Sequence, residues 1–148
     1  MKKVLVAYDS ETGKTKQMAE CIAEGIRISG HEAQVKRLNE ITNERELEGY
    51  DACVFGSPNH DQNVLDTMKT FLSNARNANL WGKVGGAFGA YKWSGDAPKI
   101  IFDTMDSVFR MDMVKVGSLN LLEDLLEKEE GVRVCHDYGK AVGEKLGL

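Results

Sequence analysis

Three apolar runs limit what this chain can fold into. Residues 4–8 (VLVAY), 52–55 (ACVF) and 84–88 (VGGAF) each end in a turn rich in glycine or hydroxyls, and each is followed by a stretch of helical period. A strand covered on both faces reads as a continuous apolar run instead of an alternating one. Strand and helix units repeated in this way specify an α/β fold with a parallel sheet. A shorter alternating strand is expected at residues 33–38, where it suits a sheet edge, and a fifth at residues 112–116. Helices are expected at residues 13–29, closed by Gly30, and at 63–78, 95–109 and 132–146, with Pro98 tolerable only in a first turn. The polar stretch 123–130 is ambiguous. The expectation is one domain, residues 1–148, with a three-layer doubly wound five-stranded parallel sheet of order 2-1-3-4-5. Right-handed crossovers in that order leave a crevice beside strands 1 and 3 at their carboxyl ends.

The first turn carries the chemistry. Ser10, Glu11, Thr12, Gly13, Lys14 and Thr15 lie between the opening strand and the first helix. A loop in that position aims backbone N–H groups and the positive end of the helix dipole at one point, which suits an anion. Ser10, Thr12 and Thr15 add hydroxyl donors, and Gly13 permits a tight turn. The alternative for Ser10 or Thr12 is simple capping of the helix. Gly13-Lys14-Thr15 mimics the end of a nucleotide-hydrolysing P-loop, but position 8 is Tyr where that motif needs Gly, and the strand at 52–55 runs into Gly56-Ser57 without the magnesium-binding Asp. A held phosphate ester fits better than a hydrolysed one. A receiver-type signalling module is also disfavoured: Asp9 and Glu11 are not adjacent, Gly56-Ser57 stands where the phosphorylated Asp belongs, and Gly117 where its Lys belongs.

Ser10, Thr12, Gly13 and Thr15 match the Ser/Thr-x-Thr-Gly-x-Thr phosphate loop of the flavodoxins, which the chain resembles over essentially its whole length. Two further turns fall where that resemblance places them: Gly56-Ser57-Pro58-Asn59-His60, and Gly89-Ala90-Tyr91-Lys92-Trp93-Ser94-Gly95. These turns look most like the flavodoxin domain of flavodiiron proteins, here standing alone. The resemblance implies a flavodoxin-like fold that binds FMN non-covalently. It further implies a low-potential carrier that moves single electrons between semiquinone and hydroquinone states. The expected cofactor-binding residues are Ser10, Glu11, Thr12, Gly13, Lys14 and Thr15 for the phosphate. Ser57, Pro58, Asn59, His60 and Asn63 form a second wall, and Gly89, Ala90, Tyr91, Lys92, Trp93 and Gly95 a third. One aromatic, with Trp93 the first choice, would pack against the flavin ring. Trp81 reads as ordinary packing. The commonest flavodoxins carry an aromatic in the second turn, where this chain has Asn59-His60-Asp61-Gln62-Asn63. Lys92 would favour an anionic reduced ring if it points inward, whereas Glu11, Asp61 and Asp96 would disfavour one.

With 148 residues and 42% hydrophobic content there is room for one sizeable core but not for a second, di-iron domain, and His31, His60 and His136 are too scattered to rebuild one. No nucleophile with its base is evident, so a non-enzymatic carrier is expected, with an NAD(P)H-dependent quinone or flavin reductase on the same fold as the alternative. A net charge of −4 and a pI near 5.4 argue against a nucleic-acid partner. Acid gathers at Glu44, Glu46, Glu48 and Asp51, and again at Glu123, Asp124, Glu127, Glu129 and Glu130. Both read as solvated faces, with docking of a basic partner as the alternative. Redox proteins, ferredoxin-type donors or oxidoreductases, are the expected partners of a monomer. The apolar run after Met1-Lys2-Lys3 is too short for a signal peptide or a membrane span, so a cytoplasmic location without membrane association is expected. Cys21, Cys53 and Cys135 form no Cys-x-x-Cys and read as core thiols, with a redox-active pair as the alternative.

Overall fold

A computed structural model describes residues 1–10, 12–59 and 64–147. The strands are β1 (Lys3–Tyr8), β2 (Glu32–Arg37), β3 (Ala52–Gly56), β4 (Val84–Tyr91), β5 (Asp112–Met113) and β6 (Leu119–Leu122). The α-helices are α1 (Lys14–Ile28), α2 (Asp66–Ala75), α3 (Ala97–Ser107) and α4 (Glu129–Leu146). All the strand pairs are parallel, in the order β2-β1-β3-β4-β5, with β6 also on β4.

The side-chain alternation of β1 divides the interior into two layers. Val4, Val6 and Tyr8 face α1 and α4, where they meet Met18, Ile22, Ile26, Cys135 and Val142. Leu5 and Ala7 face the other way, into a core with Phe55, Met68, Leu72, Ile101 and Met105. Every residue of β3 is buried, as expected of a central strand covered by helices on both sides. Phe55 meets Phe71 edge to face, with ring centroids 5.1 Å apart and planes at 87°. The first helix ends as its glycine requires: Gly30 has φ +97°, and His31 N–H bonds back to the Ile26 carbonyl at 3.3 Å.

The fifth sheet position departs from expectation. Instead of one strand at residues 112–116, β5 pairs with Val84 and Gly85, and β6 pairs with Phe88 through Tyr91. The middle of β4 is bridged from outside the sheet by the Tyr138 hydroxyl of α4, which accepts from Ala87 N at 3.0 Å and donates to the Gly117 carbonyl at 2.8 Å. Because β6 supplies ladder partners above the gap, β4 continues through Ala90 and Tyr91, where a loop is expected. The polar stretch after β6 is a 3₁₀ turn, Glu123–Glu127, that leads into α4. Trp81 is a second correction: it is 75% exposed, because Leu80 takes the core position and Gly82, at φ +75°, turns the chain away.

Candidate functional site

Parallel register places the carboxyl ends of β1, β3 and β4 level, with Tyr8 beside Gly56 and Gly56 beside Phe88. Three hydrogen bonds carry the pairing beyond the strands: Asp9 N to the Gly56 carbonyl (2.9 Å), Ser57 N to the Phe88 carbonyl (3.2 Å) and Asn59 N to the Ala90 carbonyl (3.2 Å). Three turns of the sequence reading therefore leave one rim of the sheet, where the winding reverses between β1 and its two neighbours.

The first turn is folded on itself. Ser10 N–H donates to Asp9 Oδ1 at 3.0 Å, the Ser10 hydroxyl accepts from Gly13 N at 2.9 Å, and Thr67 Oγ1 donates to Asp9 Oδ2. Gly13 is the N-cap of α1 with φ +87°, and the helix has neither a side-chain cap nor an acidic residue in its first turn. Lys14 and Lys16 stand there instead, which is the unfavourable sign for a helix dipole. Ser10 thus shapes the turn and does not cap the helix, so the first-turn N–H groups stay available to a ligand. Thr15 is 1% exposed, and its hydroxyl has no hydrogen-bond partner. An unpartnered buried hydroxyl beside an uncapped helix start suits an anionic acceptor. Lys14 is already matched: its Nζ lies 3.3 Å from Glu127, and Gln17 Nε2 donates to the Leu126 carbonyl at 2.9 Å, which clamps the acidic 3₁₀ turn onto α1. Thr12 is exposed, and Glu11 lies outside the described residues.

In the second turn Ser57 is buried, and its hydroxyl donates to the Pro58 carbonyl at 3.1 Å and accepts from Leu65 N at 3.4 Å. Pro58 is half-buried, and His60 and Asn63 lie outside the described residues. The Asn59 side chain is committed to protein groups: Nδ2 donates to the Ala90 carbonyl at 3.0 Å and to Asn120 Oδ1 at 3.1 Å, and Oδ1 accepts from Ala97 N at 2.8 Å. In the third turn Gly89 has no room for a side chain, since a Cβ would stand 2.3 Å from the Ser57 carbonyl oxygen. Ala90 is buried, Tyr91 half-buried and Lys92 exposed. Trp93 is 92% exposed, an indole presented at the rim with almost no cover. Gly95, half-buried with φ +153°, lies against Asn59. Asn120, Asp9 and Thr67 were missed by motif reading. Only the short apolar run around Asn120 carried a sequence signal for its strand.

Among the described residues no cluster of His, Cys, Asp or Glu could hold a metal, and no helix is long and apolar enough to cross a membrane. All three cysteines are free, Cys53 and Cys135 buried and Cys21 partly so. Burial pushes the Cys53 and Cys135 thiols up to about 12, away from the reactive thiolate.

These features define a doubly wound α/β protein with an uncapped helix start and a buried, unpartnered hydroxyl at its topological switch point. The flavodoxin family model matches residues 6–131, and the chain belongs to the flavodoxin family. Proteins of this family bind FMN and serve electron transfer. A flavodoxin of Clostridium saccharobutylicum is 34% identical over 87 residues, 58% of this chain and 54% of its own length, so the match spans about half of that relative. The solved structure of a flavodoxin from the domain Archaea superposes with a TM-score of 0.89 at 31% identity, covering 99% of each chain. The flavodiiron protein of Giardia intestinalis shares the fold over 98% of this chain and 36% of its own, with a TM-score of 0.83 at 24% identity.

Proposed function

We propose that this chain binds FMN non-covalently at the rim built by the three turns and carries single electrons between redox proteins at low potential. The observation that carries the reading is the buried, unpartnered Thr15 hydroxyl beside an uncapped helix start. The phosphate group would be held by first-turn N–H groups of α1 and by Ser10, Thr12 and Thr15, with Gly13 allowing close approach. Lys14 contributes little net charge, because Glu127 already neutralises it. Ser57 and Pro58 form one wall and Gly89 through Gly95 the other, with Trp93 placed to cover the ring. FMN supplies the redox-active ring system, and the protein supplies binding, orientation and local charge. Lys92 and Asp96, both exposed near the third turn, exert opposing and solvent-screened effects on that charge. Redox proteins are the partners this reading requires. The family match gives the reductase alternative no support.

Thr15→Val separates the reading from simple capping. Valine keeps the shape and removes an unsatisfied buried hydroxyl, so the protein without cofactor should be as stable as before or more so. A hydrogen bond to a charged group contributes about 1.5–3 kcal/mol, so FMN affinity should fall roughly ten- to hundredfold. Titration of FMN fluorescence with the two proteins measures this. If the unmodified protein leaves FMN fluorescence unchanged, the reading fails.

A further inference from the structure

Asn120 reaches the rim on β6, where it stands opposite Gly89 in register, and no loop motif includes it. Its Nδ2 donates to the Gly95 carbonyl at 2.8 Å, and its Oδ1 accepts from Asn59 Nδ2 at 3.1 Å. One exposed amide therefore joins the third turn to the second. The need for it follows from what the third turn lacks. β4 ends at Tyr91, and neither Trp93 nor Ser94 makes a hydrogen bond among the described residues. Among the described residues the turn is fastened again at its far end, by Asn120 at the Gly95 carbonyl and by Asn59 at Ala97 N. The fit at that point is close: a Cβ on Gly95 would stand 2.1 Å from Asn59 Oδ1.

We propose that Asn120 is a positioning residue, which latches the Trp93-bearing turn to the Asn59 turn and so fixes the spacing of the two ring-facing walls before the cofactor arrives. The inference rests on the FMN reading above. Each residue of the turn that must be ordered on binding costs backbone entropy, and the latch lowers that cost by ordering the turn in advance. Asn120 itself touches no reacting atom, and its effect passes through Gly95 and Asn59.

The test uses Asn120→Leu and Asn120→Ala in the full chain reconstituted with FMN. The site is exposed, so neither change disturbs the core, and if the leucine variant misfolds the alanine variant decides. FMN should dissociate about three- to tenfold faster, as expected for loss of ordinary hydrogen bonds, and quenching of Trp93 fluorescence by bound FMN should weaken. The one-electron potentials should also move, because a tenfold difference between the losses of oxidised and reduced cofactor equals 59 mV. A role in general stability alone would lower the unfolding midpoint and leave the potentials in place. Unchanged dissociation and potentials in variants that fold overturn the latch while leaving FMN binding intact. If the unmodified protein does not bind FMN, the functional reading falls and the latch with it.

Discussion

Tyr138 shows how one side chain can complete a sheet. Its hydroxyl occupies the place where β4 lacks a strand neighbour, accepting from Ala87 N and donating to the Gly117 carbonyl. Tyr138→Phe removes both bonds and strands the buried Ala87 N–H and the part-buried Gly117 carbonyl, a loss of about 1–3 kcal/mol. Urea unfolding should record it, and a change below about 0.5 kcal/mol, typical of a surface site, would contradict the bridging role. The same burial shapes the response to alkali. Desolvation pushes Cys53 and Cys135 up to about 12 from an ordinary value of 9.0, and pushes the Tyr138 phenol upward as well, against a lowering contribution from the Ala87 N–H. In the unfolded chain these groups lose their protons at ordinary values, whereas the folded chain retains them. The unfolded state therefore binds fewer protons above pH 9, and stability falls as pH rises from about 9 toward 12, by up to about 1.4 kcal/mol per pH unit for each group. Unfolding midpoints measured from pH 7 to 11 should be level at first and then decline, and replacing both cysteines by alanine should flatten the decline.

Among the elements, α1 and α4 meet backbone to backbone. A Cβ on Gly139 would stand 2.0 Å from the Ile22 carbonyl oxygen, and one on Gly25 would stand 2.1 Å from the His136 carbonyl oxygen. Backbone, not flexible side chain, blocks both positions, so the helices can accept a methyl group only by moving apart. Gly139→Ala should cost about 1–3 kcal/mol through overpacking, despite alanine's better helix propensity. Gly49→Ala, where nothing lies within 4 Å and the backbone is ordinary, should stay within about 0.5 kcal/mol. Comparison of the two midpoints isolates packing from composition. These contacts also matter for the candidate site, because α1 carries Thr15 at its start and α4 carries Tyr138.

At the scale of the whole molecule, cofactor and fold are linked. A ligand that binds only the folded chain adds about 2.7 kcal/mol at a hundredfold excess over its dissociation constant. For a chain of this size that is roughly a 5–11 °C rise in Tm. Thermal unfolding with increasing FMN should show the rise and its saturation, and Thr15→Val should shift the curve to higher FMN concentration.

The apolar runs at residues 4–8, 52–55 and 84–88 settled the parallel sheet, its central strand and the rim shared by three turns, because continuous burial and short connections leave few topologies. The hydroxyl and glycine spacing from Ser10 to Thr15 likewise marked the turn that opens α1, since its residues are local in the chain. What the sequence did not determine depends on partners far away along it. The split of the fifth strand follows from a tyrosine on the last helix, the exposure of Trp81 from Leu80 filling the core in its place, and the commitment of Asn59 from an asparagine 61 residues later. Local pattern fixes which segments are strands or helices; only the folded chain decides which polar atoms are already satisfied and which remain open to a ligand.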